Sequence, residues 1–273
     1  LAAISSGGFC IHQQGIPYYN SLFLEFLLIP VMIAGALPFK LYYLVLENRR
    51  LSLFGDEQVK LFFIFLGISV AVLTYDLMFF EDLGFSQSFE QALFMGVSAI
   101  TTTGFQIVNV HAWASVMLLF LAMIAFIGGC SGSTAGGVKL SRISLAIRAL
   151  VWWFHRLFVS GKVLLPFRIE GRTIPKATAE LEAAKNMLVI ILSVITIFVA
   201  TLAVLQYHLT SFSLTEVVFE VVSAFSTSGI STGYVSPDMP LMSKWIFIVV
   251  MWIGRLEVIP VVMLFIALLR EPE

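Results

Sequence analysis

The chain has 273 residues, of which 59% are hydrophobic and only 12% charged, with a mean hydropathy of +0.96. A water-soluble domain carries about 25% charged residues, so the composition excludes that class and points to a chain that crosses a membrane several times. A net charge of -1 leaves no basic footprint for nucleic acid, and two cysteines, Cys10 and Cys130, give no disulfide framework. Leu1 has neither a Met before it nor a signal-peptide layout, so the sequence reads as the C-terminal part of a longer protein, cut inside a repeat.

The chain opens on a hydroxyl-rich turn, Ala3-Ile-Ser-Ser-Gly-Gly8-Phe9, followed by a polar loop over residues 10–20. Ser21 is placed to cap the apolar run 22–46, which would be about 37 Å long as one helix. Pro30, Gly35 and Pro38 are expected to kink it. A charged connector with Arg49, Arg50, Asp56, Glu57 and Lys60 leads to a second span, 61–80. Residues 89–97 are too short to cross a bilayer, which takes about 20 residues. They run directly into Ser98-Ala-Ile-Thr-Thr-Thr-Gly104-Phe105 and then, past a mixed stretch, into the apolar run 113–127. A short apolar helix, a polar turn and a return is the layout of a re-entrant loop, which exists at membrane depth only where it is covered by protein or lines a cavity.

Residues 128–137, Gly-Gly-Cys-Ser-Gly-Ser-Thr-Ala-Gly-Gly, break the next span. Beyond them Lys139, Arg142, Arg148, Arg156, Lys162, Arg168, Arg172, Lys176 and Lys185 outnumber Glu170, Glu180 and Glu182, with Pro166 and Pro175 as breakers. The part 140–158, with Trp152 and Trp153, suits a helix near the membrane surface. A span at 186–205 and a second short helix at 214–222, capped by Ser213 or Thr215, follow. Then comes Ser223-Ala-Phe-Ser-Thr-Ser-Gly229-Ile230. The last apolar run, 241–269, is interrupted by Gly254, Arg255, Glu257 and Pro260, ahead of residues 270–273.

Three glycine turns thus recur: Gly229 lies 125 residues after Gly104, and Gly104 lies 96 after Gly8. The basic connectors 47–60 and 139–185 belong in the cytoplasm, whereas Asp76, Glu81, Asp82, Glu90 and Glu216 accompany the short helices without Lys or Arg. The short helices therefore enter from outside. The expected architecture is an all-α polytopic membrane protein of repeated span–pore-loop–span units around a central pore. Residues 1–60 end an incomplete repeat, 61–140 form a complete one, 141–185 a basic cytoplasmic connector and 186–273 the final repeat.

A half-helix entering from outside leaves its free carbonyls at mid-membrane, with partial negative charge. Thr and Ser add small oxygens, and glycine permits successive carbonyls to face one side. Gly8, Thr102, Thr103, Gly104, Thr227, Ser228 and Gly229 would then form an oxygen cage suited to a dehydrated monovalent cation. Mg²⁺ and Ca²⁺ would recruit carboxylates, and 101–105 and 227–230 contain none. An anion would want helix N-termini instead.

The glycine-rich run must line a cavity or meet protein. Its small residues, Gly128, Gly129, Ser131, Gly132, Gly136 and Gly137, could enter and leave a pore at low steric cost. A nucleotide-binding loop is disfavoured, because Val138 separates Gly137 from Lys139. Arg255 within a membrane span calls for a partner or a function. Glu257, two residues on, would not share its helix face, which leaves Glu220 or a carboxylate outside this sequence as the better partner. His12, His111, His155 and His208 have no mutual ligand spacing.

Ser5-Ser-Gly-Gly-Phe9, Thr101-Thr-Thr-Gly-Phe105, the run 128–139, Ser223-Ala-Phe-Ser-Thr-Ser-Gly229 and Gly254-Arg-Leu-Glu257 together resemble the Trk/Ktr/HKT superfamily of potassium transporters, most closely the bacterial Trk-type membrane subunit. The resemblance covers essentially the whole chain. It implies four span–pore-loop–span repeats around one pore, with Gly8, Gly104 and Gly229 as filter glycines and the fourth contributor outside this sequence. It also implies inward potassium transport, including symport, across the bacterial inner (plasma) membrane, with potassium as cargo, no cofactor and no enzymatic step. The glycine-rich run would be the intramembrane gate, with Arg255 facing the pore below the filter. A homodimer embedded in membrane lipid, with cytosolic nucleotide-binding regulatory subunits, is the implied assembly. The alternatives are a sodium-coupled or sodium-permeable member of the superfamily, a secondary transporter with re-entrant hairpins, and an intramembrane serine protease using Ser131 or Ser133. The last would need a histidine deep in another span, and no histidine is so placed.

Overall fold

The computed structural model describes residues 1–12, 14–47, 55–158, 167–169, 172–207 and 212–269. Arg49, Arg50, Lys162, Pro166, Glu170, His208 and residues 270–273 lie outside that set.

Ten helices dominate the described residues: α1 (Leu22–Ala36), α2 (Phe39–Leu46), α3 (Glu57–Phe80), α4 (Phe85–Ile100), α5 (Ser115–Phe126), α6 (Leu140–Phe158), α7 (Lys176–Leu205), α8 (Leu214–Phe225), α9 (Leu241–Leu256) and α10 (Val258–Leu269). The short helices are longer than their apolar cores suggest: α4 gains residues 85–88 at its start and 98–100 at its end, and α8 gains 223–225 at its end. A two-stranded antiparallel ladder, β1 (Phe167–Ile169) and β2 (Arg172–Ile174), pairs Phe167 with Ile174 in the basic connector. The β-branched Ile169, Thr173 and Ile174 favour that geometry, and it is the one departure from an all-helical chain among the described residues.

Two helices are long and apolar enough to cross a membrane alone, α3 and the part Glu180–Leu205 of α7. Two further crossings are available as bent pairs, α1 with α2 at 96° and α9 with α10 at 106°. The breaks correct the expected ones. α1 runs through Pro30 and Gly35, and the chain turns at Leu37 and Pro38, where Leu37 is extended (ψ 154°) as a residue before proline prefers. Gly254 and Pro260 remain inside helices, and the second turn is made by Glu257 alone, at φ 66° and ψ 152°. That region is almost confined to glycine. An ion pair with Arg142 of α6 holds Glu257 there.

Capping follows the sequence closely. Ser21 accepts the Leu24 amide at 3.4 Å. Ser213, rather than Thr215, caps α8 in a reciprocal box with Glu216, and Glu216 also meets His111 of the loop between α4 and α5. Ser213→Ala is expected to cost about 1 kcal/mol. A lowered thermal midpoint in detergent, with unchanged oligomeric size, checks it.

α3 packs chiefly on α4, α5 on α8, and α8 on α7 and α9. One buried cluster centres on Met32, Phe62, Leu73, Phe94, Met95 and Leu121. A second centres on Val217, Val221, Tyr234, Phe247 and Val250. Phe126 and Ile197 touch both. The two short helices therefore sit inside the bundle, with their C-terminal turns buried.

Candidate functional site

The three glycine turns share one backbone. Ser6, Thr102 and Thr227 adopt φ of 48°, 50° and 52°, and Gly8, Gly104 and Gly229 adopt 63°, 86° and 85°. The amides of Gly7, Thr103 and Ser228 each donate to the carbonyl five residues back, those of Ala2, Ser98 and Ser223, at 2.9, 3.0 and 2.9 Å. The amides of Ser6, Thr102 and Thr227 donate to Ala3, Ala99 and Ala224. This is a Schellman ending, in which the left-handed position is normally glycine. Here it holds a hydroxyl residue in all three copies, at a cost in strain of the kind that collects at functional sites. The register also settles that Gly8, not Gly7, corresponds to Gly104. After each complete turn, a helix serine retains the outgoing strand: Ser98 Oγ donates to the Phe105 carbonyl at 2.7 Å and Ser223 Oγ to the Ile230 carbonyl at 2.6 Å.

The turns also touch one another in order. A Cβ on Gly8 would lie 2.2 Å from the Thr103 carbonyl oxygen, and one on Gly104 would lie 1.8 Å from that of Ser228. Gly229 has no described atom within 4 Å of that position. Gln106 spans the second and third turns, donating to the Ser231 carbonyl at 2.9 Å and accepting the Ser231 amide at 3.2 Å. The sequence reading missed Gln106, although it and Ser231 stand at the same offset of 125 as the turns.

The glycine-rich run lies against the inner ends of all three turns. The Gly136 amide donates to Thr102 Oγ1 at 2.7 Å. Ser6 Oγ donates to the Thr134 carbonyl at 2.7 Å. Gly136 passes so close to the third turn that a Cβ would meet the Ser226 carbonyl at 2.1 Å and Thr227 Oγ1 at 2.2 Å. On its other side, Cys130 and Thr134 donate their amides to Ala36 and Gly35, the free carbonyls at the α1 break, at 3.1 and 3.2 Å. The Phe39 amide donates to the Gly132 carbonyl at 3.0 Å, and the Ser131 amide to Gln58 Oε1 at 3.0 Å. Protein groups on both sides thus supply partners for this irregular backbone. Gly128, Gly129, Gly136 and Gly137 are buried in this arrangement, whereas Ser131 and Gly132 are exposed and point away from the turns toward α2 and α3.

Arg255 is exposed rather than buried, and Nη1 donates to the Thr134 carbonyl at 3.0 Å. The expected pairing with Glu220 does not occur. The Glu220 carboxylate takes the Ser231 hydroxyl and both the amide and hydroxyl of Thr232. Glu257 pairs with Arg142 of α6 rather than with Arg255. Thr134, which no sequence signal singled out, therefore joins Arg255 to the first turn. Among the described residues no group of three His, Cys, Asp or Glu could hold a metal ion. Thr227 Oγ1 and Ser228 Oγ are buried without a hydrogen-bond partner, which leaves two oxygens of the third turn uncommitted.

The TrkH family model, described as a cation transport protein, matches residues 1–273. The chain is 28% identical over 276 residues to the Trk system potassium uptake protein TrkH of Halomonas elongata, covering 97% of this chain and 54% of that protein. It is 28% identical over 270 residues to the protein of the same name in Escherichia coli K12, covering 97% and 54%. With the Ktr system potassium uptake protein D of Bacillus subtilis it shares 26% over 276 residues, covering 95% and 57%. The chain therefore spans about half the length of the curated relatives it matches. The crystal structure of the potassium transporter TrkH from Vibrio parahaemolyticus superposes with a TM-score of 0.82 at 22% identity, over 96% of this chain and 56% of that one. The fold is that of an all-α, membrane-spanning bundle. A match along the whole chain makes it a member of the TrkH family of cation transport proteins, multi-pass in the membrane and not an enzyme.

Proposed function

We propose that this chain is part of a potassium-transporting membrane subunit of the bacterial inner membrane, and that its three turns are three parts of a carbonyl-lined filter. The observation that carries this reading is the shared backbone of the turns together with their glycine-to-carbonyl stacking. Each short helix directs the partial negative charge of its C-terminus at the same level of the bundle, and the turn oxygens carry no formal charge. Such a site favours a weakly hydrated monovalent cation. The order helix, short helix, glycine turn and apolar helix occurs twice, in 61–140 and 186–273, and supports a span–pore-loop–span unit; residues 1–60 supply the end of another, and 141–185 the cytoplasmic connector. A fourth turn would complete the ring beside Gly229, whose Cβ position is open.

The run 128–137 acts as the gate in this reading. It is latched to the filter through Ser6 and Thr102, while Arg255 places a fixed positive charge beneath it. The membrane potential drives a cation inward with about 2.3 kcal/mol per 100 mV. The names of the relatives speak of Trk and Ktr systems, in keeping with a homodimer served by nucleotide-binding regulatory subunits on the cytoplasmic side.

The test is rubidium and sodium flux into liposomes that hold the natural full-length protein containing this chain. Rubidium entry is expected to exceed sodium entry at equal gradients. Equal entry of both ions removes the selective filter and leaves a nonselective pore.

A further inference from the structure

Glu220 lies on α8 with 2% of its surface exposed, and its carboxylate stays within the third repeat. One oxygen accepts the Ser231 hydroxyl at 2.7 Å, the Thr232 amide at 2.7 Å and the Thr232 hydroxyl at 2.9 Å, and the Tyr234 amide also faces the group. Every partner is a donor. The three bonds fill the acceptor capacity of one carboxylate oxygen from within the chain, and a cation ligated there would be opposed by the same donors. Ser231 in turn has its backbone held on both sides by Gln106 from the second turn. The residue equivalent to Glu220 in the second repeat, 125 positions earlier, is Met95, which is fully buried and apolar. The device therefore belongs to one turn and reaches across to another.

We propose that Glu220 is a positioning residue for ion selectivity: by gathering Ser231 and Thr232 just beyond Gly229, and through the Ser231–Gln106 link, it fixes the spacing of the second and third turns at their outer end. The inference rests on the filter reading above. Whether such a filter discriminates by cavity size or by field strength, the placement of its carbonyls sets the outcome, and Ser231 lies two residues from Gly229 on the strand that leaves the turn. Glu220→Gln keeps the shape and one acceptor oxygen but turns the other oxygen into an amide donor, and a buried donor without an acceptor costs enough to move the strand.

The experiment compares the rubidium-to-sodium flux ratio of full-length wild type, Glu220→Gln, Glu220→Asp, Ser231→Ala with Thr232→Val, and Met95→Leu, each first checked for a single symmetric peak on size exclusion. The ratio is expected to fall about tenfold in Glu220→Gln, in proportion to the loss of about one buried hydrogen bond. It should be partly restored in Glu220→Asp and unchanged in Met95→Leu. Should Glu220→Gln not yield folded protein, the Ser231→Ala, Thr232→Val pair gives the same reading from the donor side, with a lowered ratio expected. An unchanged ratio in folded Glu220→Gln, or in the donor pair where that variant is not recovered, overturns the proposal. A wild type without rubidium preference defeats the filter reading itself, whereas a selective wild type with an indifferent Glu220→Gln defeats only this inference.

Discussion

Replacing Gly104 with alanine is expected to bring the rubidium-to-sodium flux ratio of the full-length protein down to unity and to reduce rubidium flux severely. The new Cβ would stand 1.8 Å from the Ser228 carbonyl oxygen, so one of two neighbouring turns must give way by more than an ångström. The φ of +86° adds a strain of about 1–2 kcal/mol for any residue with a Cβ. The strain alone is not what matters, and Gly15→Ala shows the difference. Gly15 has a similar φ of +71° but meets nothing closer than 3.8 Å, so its variant should be slightly less stable and equally selective. Loss of selectivity at both sites would mean that backbone strain, not the contact between turns, is responsible. Gly229→Ala carries the comparison one step further. Its Cβ position is open within this chain. A fourth turn standing there in the full-length protein should make the variant as damaging as Gly104→Ala; a mild phenotype would argue that nothing abuts Gly229.

The repeat was legible in the sequence because its physics is local. A Schellman ending needs a helix, a left-handed residue and small neighbours, and all three copies keep their hydroxyls and glycine at fixed places within a few residues. Ser21 and Ser213 as caps, and α6 over residues 140–158, were legible for the same reason. The helix breaks were less so. Of Pro30, Gly35 and Pro38 only the last coincides with a turn, because the restriction that proline places on the preceding residue becomes a bend only where the surrounding backbone can use the freed carbonyls. Here the glycine-rich run does so, through Cys130 and Thr134. Glu257 has no breaker chemistry of its own; its unusual backbone depends on Arg142, 115 residues away. Contacts of that range leave no local signal. The same holds for Thr134, which ties Arg255 to the first turn through a backbone carbonyl that any residue could have supplied. Glu220 looked like the natural partner of Arg255 by charge alone. The geometry divides them, with Glu220 on the outer side of the third turn and Arg255 on the inner side with the loop.

That inner side yields the other large effect. Gly136→Ala is expected to raise rubidium flux through the full-length protein. In the present arrangement a Cβ on Gly136 would be 2.1 Å from the Ser226 carbonyl and 2.2 Å from Thr227 Oγ1. Neither is the end of a flexible side chain, so the loop must move off the third turn and loosen the 2.7 Å bond from the Gly136 amide to Thr102. A methyl group thus penalises the latched position and leaves a displaced one untouched, which shifts the population toward the latter. Arg255→Gln acts on the same loop by a separate route. It keeps a donor for the Thr134 carbonyl but removes the positive charge. A cation passing within about 8 Å of that charge, at an effective dielectric of about 20, would be spared about 2 kcal/mol, or a roughly thirtyfold barrier in rate. The two routes separate in the double variant. If the arginine only held the loop shut, Gly136→Ala would already have released it and Arg255→Gln would add nothing. If the charge also opposes the ion in transit, the double variant should conduct beyond either single one while remaining below their product, since the two side chains share the loop as a partner. Flux in Gly136→Ala at or below the wild-type level, in protein of normal size and thermal midpoint, would show that the loop does not close the path.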